Sequence, residues 1–526
     1  MNVNNPSSIP VIDLFAGPGG LGEGFEACRS TARQAFKIAL SIEKEPTAHS
    51  TLELRSFFRQ FPAKGIPGEY YRHLQGQLSR AELYAAYPLQ AAVAKRQAWK
   101  ATLGEVPAEE VDRKIRAALA GNDEWVLCGG PPCQAYSVMG RSRSGGIDEK
   151  DPRLYLYKEY LRILAEHKPP VFVMENVKGL LSSKIGNHTI FRQMLIDLRD
   201  PALSSDLGPD GPRYVLYSLV NQPESYESDG HPAFNPSDFI IKCEDYGIPQ
   251  SRHRVILVGI RGDLAGDKIP VLRRSVKHIT AQRVLQGLPR LRSGLSQTAD
   301  GKTDQTADGK TEWRHALQGI LGPGILDDLP NGNGRALKRD IEWTLSRVRT
   351  PRADRGGEFV RCDARIDYEP KWFCDVAVGG ACNHASRPHM PADLHRYLFA
   401  ACYARMFGRS PELRDFPPRL LPKHKNVKDE NKKEYFDDRF RVQLADRPST
   451  TVTSHMAKDG HYFIHYDETQ CRSLTVREAA RLQTFPDNYF FSGTRTQQYV
   501  QVGNAVPPLL ARQIAGIVFK ILRGRD

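Results

Sequence analysis

Short apolar runs, each stopping at a glycine-rich or charged turn, recur along the first half of the chain. Ile9 to Phe15 runs apolar into a glycine-rich turn, after which Leu21 to Cys28 takes a helical spacing. A second run, Lys37 to Ile42, stops at Glu43, and a third, Trp125 to Cys128, leads into Gly129-Gly130-Pro131-Pro132-Cys133. A fourth, Val171 to Met174, stops at Glu175-Asn176, and a fifth, Arg254 to Ile260, follows Gln250-Ser251-Arg252-His253. Helical segments such as Leu154 to Glu166 lie between them. Strands that alternate with helices and carry polar chemistry at their ends predict an α/β, doubly wound sheet with ligands beyond the carboxyl ends of its strands.

Residues 55–122 interrupt this rhythm with a helical insertion. Pro107 opens a segment in which Val111, Ile115, Ala118 and Leu119 share one face, and Gly121 ends it. Past about residue 270 the texture turns basic and is punctuated by Gly and Pro. It includes a duplicated heptad, QTADGKT at 297–303 and again at 305–311, too short for a solenoid unit and read as a loop or hairpin elaboration.

A length of 526 residues exceeds one ordinary core, so two domains, or one with large insertions, are expected. No apolar run approaches the roughly 18 residues of a membrane span, and MNVNNPSS has neither the basic end nor the apolar centre of a signal peptide. A soluble, cytoplasmic protein is expected. Nine scattered cysteines fit a reducing compartment rather than a disulfide scaffold. The formal charge of +13 is unevenly placed, because 271–446 holds 32 Lys and Arg against 23 Asp and Glu. A polyanionic partner would explain that excess, and so would a merely soluble basic surface.

The turn Asp13-Leu14-Phe15-Ala16-Gly17-Pro18-Gly19-Gly20 allows close backbone approach to a ligand, with Phe15 offering an aromatic face. Glu43, past the next strand, is placed to accept hydrogen bonds from ribose hydroxyls. In Pro131-Pro132-Cys133-Gln134 two prolines stiffen the backbone before a cysteine at a strand exit, which suits either a nucleophile aimed at a cleft or a structural thiol. Glu175 adds an acid able to protonate a ring nitrogen. Arg252 and Arg254 fall on one side of an extended segment, within reach of a carbonyl oxygen or a phosphate.

In this order these elements resemble the DNA cytosine-5 methyltransferases of prokaryotic restriction-modification type. FAGPGG resembles the family's cofactor motif, GGPPCQ its catalytic loop, ENV its acidic motif and QSRHR its arginine motif. RPSTTVTS at 447–454 and QVGNAVPP at 501–508 resemble the ninth and tenth motifs. The resemblance implies a Rossmann-like, S-adenosylmethionine-dependent methyltransferase domain with a smaller target-recognition domain. By that likeness 1–270 is catalytic, 271–470 reads the target and includes the ninth motif, and 471–526 is a hinge and a last helix, Leu509 to Leu522, returning to the first domain.

It further implies that Cys133 adds to C6 of a flipped-out cytosine, Glu175 holds N3 protonated, Arg254 binds the O2 carbonyl and Arg252 supports the catalytic loop. S-adenosyl-L-methionine would lie against Phe15, Gly17, Gly19, Gly20, Leu21, Glu43, Pro132, Asn504 and Val506. Gln134, Ser137, Asn176 and Gln250 are candidate substrate contacts, and the stretch Gly140 to Gly146 would close over the base. The chain departs from the pattern in one respect: the insertion hides any Asp at the end of the third strand, so no adenine-contacting acid is assigned.

The implied partner is double-stranded DNA, together with a cognate restriction endonuclease, and the enzyme is expected to be a nucleoid-associated monomer. A tRNA cytosine-5 methyltransferase shares the motif set, but a recognition region of about 176 residues exceeds what one conserved tRNA reader needs. A non-catalytic DNA-binding paralogue would be expected to have lost Cys133 or Glu175. The spacing of Cys374, Cys382, His384 and His389 matches no usual zinc pattern, and no metal is expected. Asn383, His384, Arg387, His389 and Arg396 are instead candidates for reading bases or phosphates. The lysine-rich run 423–433 reads as a solvated or phosphate-facing loop.

Overall fold

The structure, a computed structural model, describes residues 8–30, 33–131, 152–185, 188–205, 207–208, 210–296, 308–327, 329, 334–422 and 437–524. Met1–Ile66, Tyr84–His278 and Ala505–Asp526 make one compact unit, and Pro67–Leu83 with Ile279–Asn504 makes a second.

The first unit is built on an eight-stranded sheet. Its strands are β1 (Ile9–Leu14), β2 (Phe36–Glu43), β3 (Ala98–Lys100), β4 (Val126–Gly129), β5 (Val171–Val177), β6 (Tyr214–Ser218), β7 (Ile240–Lys242) and β8 (His253–Arg261). Their order is β6-β8-β5-β4-β1-β2-β3, with β7 also pairing β8. Strands β1 to β5 run parallel, and β8 is antiparallel to β5, β6 and β7. All four residues of β4 are buried, as expected of a central parallel strand whose faces are both covered. The five predicted strands appear with ends shifted by no more than three residues.

Helix α1 (Gly20–Glu26) follows β1, α2 (Pro46–Phe58) follows β2, α3 (Ala108–Leu119) precedes β4 and α4 (Pro152–His167) precedes β5. Val111, Ile115 and Leu119 of α3 pack into the same core as Ile12, Leu40, Leu127 and Phe172, with Ala118 at its margin. The chain closes on a helix, Pro508–Arg523, that lies against α1. Gly24 permits that crossing, since a Cβ there would stand 2.4 Å from the Ala511 Cβ and 2.5 Å from the Arg512 nitrogen. The most apolar helical stretch, 495–523, is divided by Ala505 to Pro507 into two helices, each shorter than the roughly 20 residues of a span.

The 55–122 segment is less uniform than a helical insertion. It contains β3, whose three residues are too few to show a periodicity and which only pairing with β2 defines as a strand. Pro67–Leu83 belongs to the second unit: the Tyr71 hydroxyl donates to Asp375 at 3.0 Å, Gln75 to the Val378 carbonyl at 3.0 Å and Arg80 to Ser492 at 2.7 Å. The expected divisions at 270 and 470 fall instead at 278 and 504. The first copy of the repeated heptad lies outside the described residues, and the second ends in the helix Lys310–Gln318 rather than a loop.

In the second unit, α5 (Gly334–Arg347) and α6 (Pro391–Phe407) enclose a core with Trp313, Ile341, Tyr397, Phe399 and Phe416. Strands β9 (Gly356–Arg361) and β10 (Gly380–Ala385) form an antiparallel hairpin. Three buried arginines tie the segment between the ninth and tenth motifs into this unit. Arg472 makes a bidentate pair with Glu478 at 2.7 Å for each contact. Arg481 pairs with Asp487 at 2.9 and 2.7 Å, and Arg477 donates to the Cys382, Pro486 and Tyr489 carbonyls. Gly503 seats its helix on the ninth motif, where a Cβ would come within 2.2 Å of the Ser454 nitrogen. These contacts hold 471–504 within the second unit.

Two predictions follow from the packing of the first unit. Gly24→Ala gains about 1 kcal/mol of helix propensity but forces α1 off the last helix, so a net loss of about 1–3 kcal/mol is expected, read as a lower urea midpoint. An unchanged midpoint would show that the two helices separate at no cost. The second concerns Asp13, which is fully buried in β1. Burial pushes its carboxyl up to about 7, with Arg59 and the Gly22 N–H pulling downward and Glu43 adding to the rise. The folded state therefore holds this proton more tightly than the unfolded chain between about pH 4 and pH 7, and stability falls as pH rises through that window. In urea titrations across that range, Asp13→Asn should remove this part of the decline, and an identical decline in the variant would sink the assignment.

Candidate active site

The carboxyl ends of β1, β2, β4 and β5 meet at one edge of the sheet, with Leu14 level with Gly129 and Gly129 level with Met174. Immediately past β1 the chain turns through Phe15 at φ 54°, Gly17 at φ 57° and Gly19 at φ 91°. A left-handed Phe is strained by roughly 1 kcal/mol or more, a cost that tends to persist where function needs the geometry. The turn is closed by hydrogen bonds from Ala16 N–H to the Ile42 carbonyl at 3.1 Å and from Gly19 N–H to the Ala16 carbonyl at 2.9 Å. Glu43, ending β2, accepts the Gly17 N–H at 2.7 Å and the Glu45 N–H at 2.8 Å. This fixes the carboxylate beside the turn while leaving lone pairs on both oxygens.

The glycines of the turn divide by what surrounds them. A Cβ on Gly17 would meet nothing within 4 Å, so its backbone faces open space, whereas a Cβ on Gly20 would stand 2.2 Å from the Val506 carbonyl oxygen. Gly20 and Val506 are thus a packing contact, and Leu21 is buried in α1. Asn504 is exposed at the end of its helix in the second unit. The open backbone at Gly17, the half-buried Phe15 ring and the anchored Glu43 fit an adenosine-bearing cofactor.

On the far side of β4, Glu175 lies 3.0 Å from Arg254 Nε in an ion pair whose two side chains are 14% and 13% exposed. Gly130 passes close over that acid, since a Cβ there would approach Glu175 Oε2 to 2.9 Å. Asn176 accepts the Val177 N–H at 2.8 Å and donates to the Pro131 carbonyl at 3.3 Å. Asn176 is therefore a brace, buried at the strand exit, that tethers the start of the GGPPCQ loop to the strand carrying the acid. Arg252 is buried beneath the pair, and burial, with Arg254 beside it, pulls it down to about 9 while Glu175 and Cys243 oppose the fall. It remains cationic at neutral pH. Its backbone anchors the segment through Cys243 N–H to Arg252 C=O at 3.0 Å, and Gln250 is fully buried.

Pro132, Cys133, Gln134, Ser137 and the stretch 140–146 lie outside the described residues, as does 423–433. At the end of the third strand stands Lys100-Ala101-Thr102, with no carboxylate before Glu105, and Ala101 N–H bonds to the Glu43 carbonyl at 3.2 Å. The close approach of Gly130 to Glu175 was missed from sequence, although the second glycine before two prolines was its signal.

The five candidates for reading DNA in the second unit are internal. Asn383, at φ 53°, bridges Glu358 and both polar groups of Phe491, and His384 bonds Thr475 and the Pro289 carbonyl through its two ring nitrogens. Arg387 donates to the Met456 and Lys458 carbonyls, His389 bonds Ser473, and Arg396 holds Leu420 and Asp393. All five are less than a tenth exposed, so they build the unit rather than touch a groove. Among the described residues no group of three or more His, Cys, Asp or Glu is placed to hold a metal ion.

A family model for the C-5 cytosine-specific DNA methylases matches residues 95–201, 230–338 and 392–520. The chain is 32% identical to type II methyltransferase M.Bpa9945I of Bacillus paralicheniformis, across 98% of this chain and 99% of that one. It is 27% identical to DNA (cytosine-5-)-methyltransferase M.ApeKI of Aeropyrum pernix, across 80% and 86%. In fold it is similar to a solved structure described as a DNA modification methyltransferase encoded within an E. coli prophage, with a TM-score of 0.50, 18% identity and coverage of 98% and 99%. The chain belongs to the C-5 cytosine-specific DNA methylase family: it is a DNA cytosine-5 methyltransferase and uses S-adenosylmethionine as its methyl donor.

Proposed function

We propose that Cys133 is the nucleophile of this transfer and Glu175 its acid. The observation that carries the reading is the tether at the strand exit: Asn176 holds Pro131 and Gly130 packs on Glu175. Cys133 follows Pro131 by two residues, so the covalent chain keeps its Cα within about 7 Å of that of Pro131. C5 of cytosine is too weak a nucleophile to attack a sulfonium methyl unaided. Addition of the Cys133 thiolate to C6, with N3 protonated from Glu175, turns the ring into an enamine whose C5 is nucleophilic.

Arg254 orients Glu175 and binds the O2 carbonyl, while Arg252 supports the pair from below. Phe15, Gly17 and Glu43 hold S-adenosylmethionine, which supplies an electrophilic methyl group when bound. After transfer, a base removes the C5 proton, the electron pair re-forms the C5–C6 double bond, and Cys133 leaves as thiolate. The ring must be out of the duplex for C6 to be reached. The enzyme acts on double-stranded DNA as a cytoplasmic, nucleoid-associated monomer. It is the modification partner of a restriction endonuclease with the same site, a reading supported by the type II name of its 32%-identical relative.

A duplex carrying 5-fluorocytosine at the target has no C5 proton to lose, so elimination is blocked and the adduct persists. Wild-type protein should form a denaturation-resistant complex with it, and Cys133→Ser should form none while keeping DNA and cofactor affinity. Glu175→Gln should slow turnover about 10²- to 10⁴-fold with unchanged unfolding. An adduct in Cys133→Ser, or near-normal turnover in Glu175→Gln, would move the chemistry to other residues.

We further propose that the second unit selects the sequence. Exchanging 279–446 for the matching segment of a relative with a known site should transfer that relative's methylated context, read by sequencing DNA exposed to the active chimera. Retention of the parent context would place recognition elsewhere.

A further inference from the structure

At the site's edge of the sheet the first unit carries a second opening, a cavity of about 330 Å³ just past the ends of β5 and β6 and beside β7 and the 3₁₀ turn Cys243–Tyr246. Lys178, Lys242 and Arg274 line it, with Val220, Ile240 and Tyr246 among the other lining residues. Neither lysine has an ion-pair partner among the described residues, and Arg274 is anchored by a hydrogen bond with the Tyr246 hydroxyl. The one carboxylate in the lining, Asp245, is engaged by His278 at 3.3 Å. Three cations therefore line a cavity with a single carboxylate, which is hydrogen-bonded to His278.

The position is as informative as the charge. Lys178 lies three residues beyond Glu175 as β5 ends. Lys242 ends β7 level with His253, the residue before Arg254. The cavity thus opens on the same edge of the sheet as the acid and its guanidinium. A lining that mixes apolar side chains with cations suits the two faces of a deoxyribose phosphate, one apolar and one anionic.

We propose that this cavity grips a phosphodiester of the DNA next to the target cytosine, with Lys178, Lys242 and Arg274 sharing its charge. The inference rests on the reading that chemistry occurs at Glu175. It adds a backbone contact made by the catalytic unit, independent of sequence, that would hold the strand while one base is withdrawn from the stack.

Lys178, Lys242 and Arg274 are exposed, so their replacement by Gln leaves the core intact. Duplex affinity is measured against salt concentration for each Gln variant and for the triple variant. The triple variant should lower the slope of log affinity against log salt by about 0.9, the value for one phosphate released. It should weaken cognate and non-cognate duplexes by the same factor, with the loss of methylation carried by KM for DNA. Repeating the series in Glu175→Gln separates the two readings, because the slope reports binding and must show the same drop there without turnover. An unchanged slope in a triple variant that unfolds at the wild-type midpoint overturns the proposal. So does a cavity that holds only free anion, which would appear as protection of Lys178 and Lys242 from acylation by inorganic phosphate and none by duplex.

Discussion

A carboxylate held at the edge of a parallel sheet by a guanidinium from an antiparallel neighbour is the contact on which the site depends. Glu175 stands opposite Ile256, and Arg254 opposite Val177, so the two charged residues are diagonal neighbours on one face of the β5–β8 pair. That spacing is within reach of a long side chain, and the register that creates it has little freedom. A slip of one residue would turn Arg254 to the opposite face and leave Glu175 half-buried without its cation. Strands β6 and β7 pin β8 from the other side. The antiparallel end of this mixed sheet therefore decides which residues of β8 stand beside Glu175, because a parallel strand would deliver its carboxyl end, rather than its first residues, to this edge.

The same economy of space governs the glycines. Gly20 and Gly24 are small because the Val506 carbonyl and the last helix occupy the room a side chain would need, whereas Gly17 is small where nothing fills the room. Absence of a side chain thus goes with filled space at two of these positions and with open space at the third. Gly130 combines them, since it lets a loop pass over the acid while also starting that loop. Asn176 then fixes where the loop departs, which links burial at a strand end to the placement of whatever follows.

Much of this was legible in the sequence because each of the longer strands of the parallel core is a short apolar run with polar or glycine-rich residues at its end, and burial of both faces makes such runs conspicuous. What escaped has a physical reason in each case. β3 has three residues and no periodicity of its own, so only its partner makes it a strand. Pro67–Leu83 reads as one more helical piece of an insertion, yet its Tyr71, Gln75 and Arg80 bonds belong to the second unit, and contacts across some 300 to 400 residues leave no local trace. The positions of Glu175, Arg254, Phe15 and Glu43 followed from strand-end logic. The difference between Gly17 and Gly20 did not, because it depends on what lies above each backbone.

The charge of the second unit shows how composition can mislead about a binding surface. An excess of Lys and Arg over 271–446 suggests a groove-facing array, but many of those cations hold the unit together. Arg292 lies between Asp308 and Asp354, Arg396 binds Asp393, and Arg405 spans Asp340 and Glu468. Buried His384 and His389 point the same way, since burial pushes both well below the usual histidine range and leaves them neutral hydrogen-bonding groups rather than phosphate ligands. A guanidinium suits this work because its planar fork can satisfy several carbonyls or carboxylates at once in a region with few long strands to do so. Net charge counts these internal cations equally with exposed ones, although only the exposed ones are met by a phosphate. The three cations around the 330 Å³ cavity of the first unit add little to the total, yet neither lysine has an ion-pair partner among the described residues, and Lys178 stands three residues past Glu175. For a polyanion, where a charge stands and what already neutralises it decide more than how many there are.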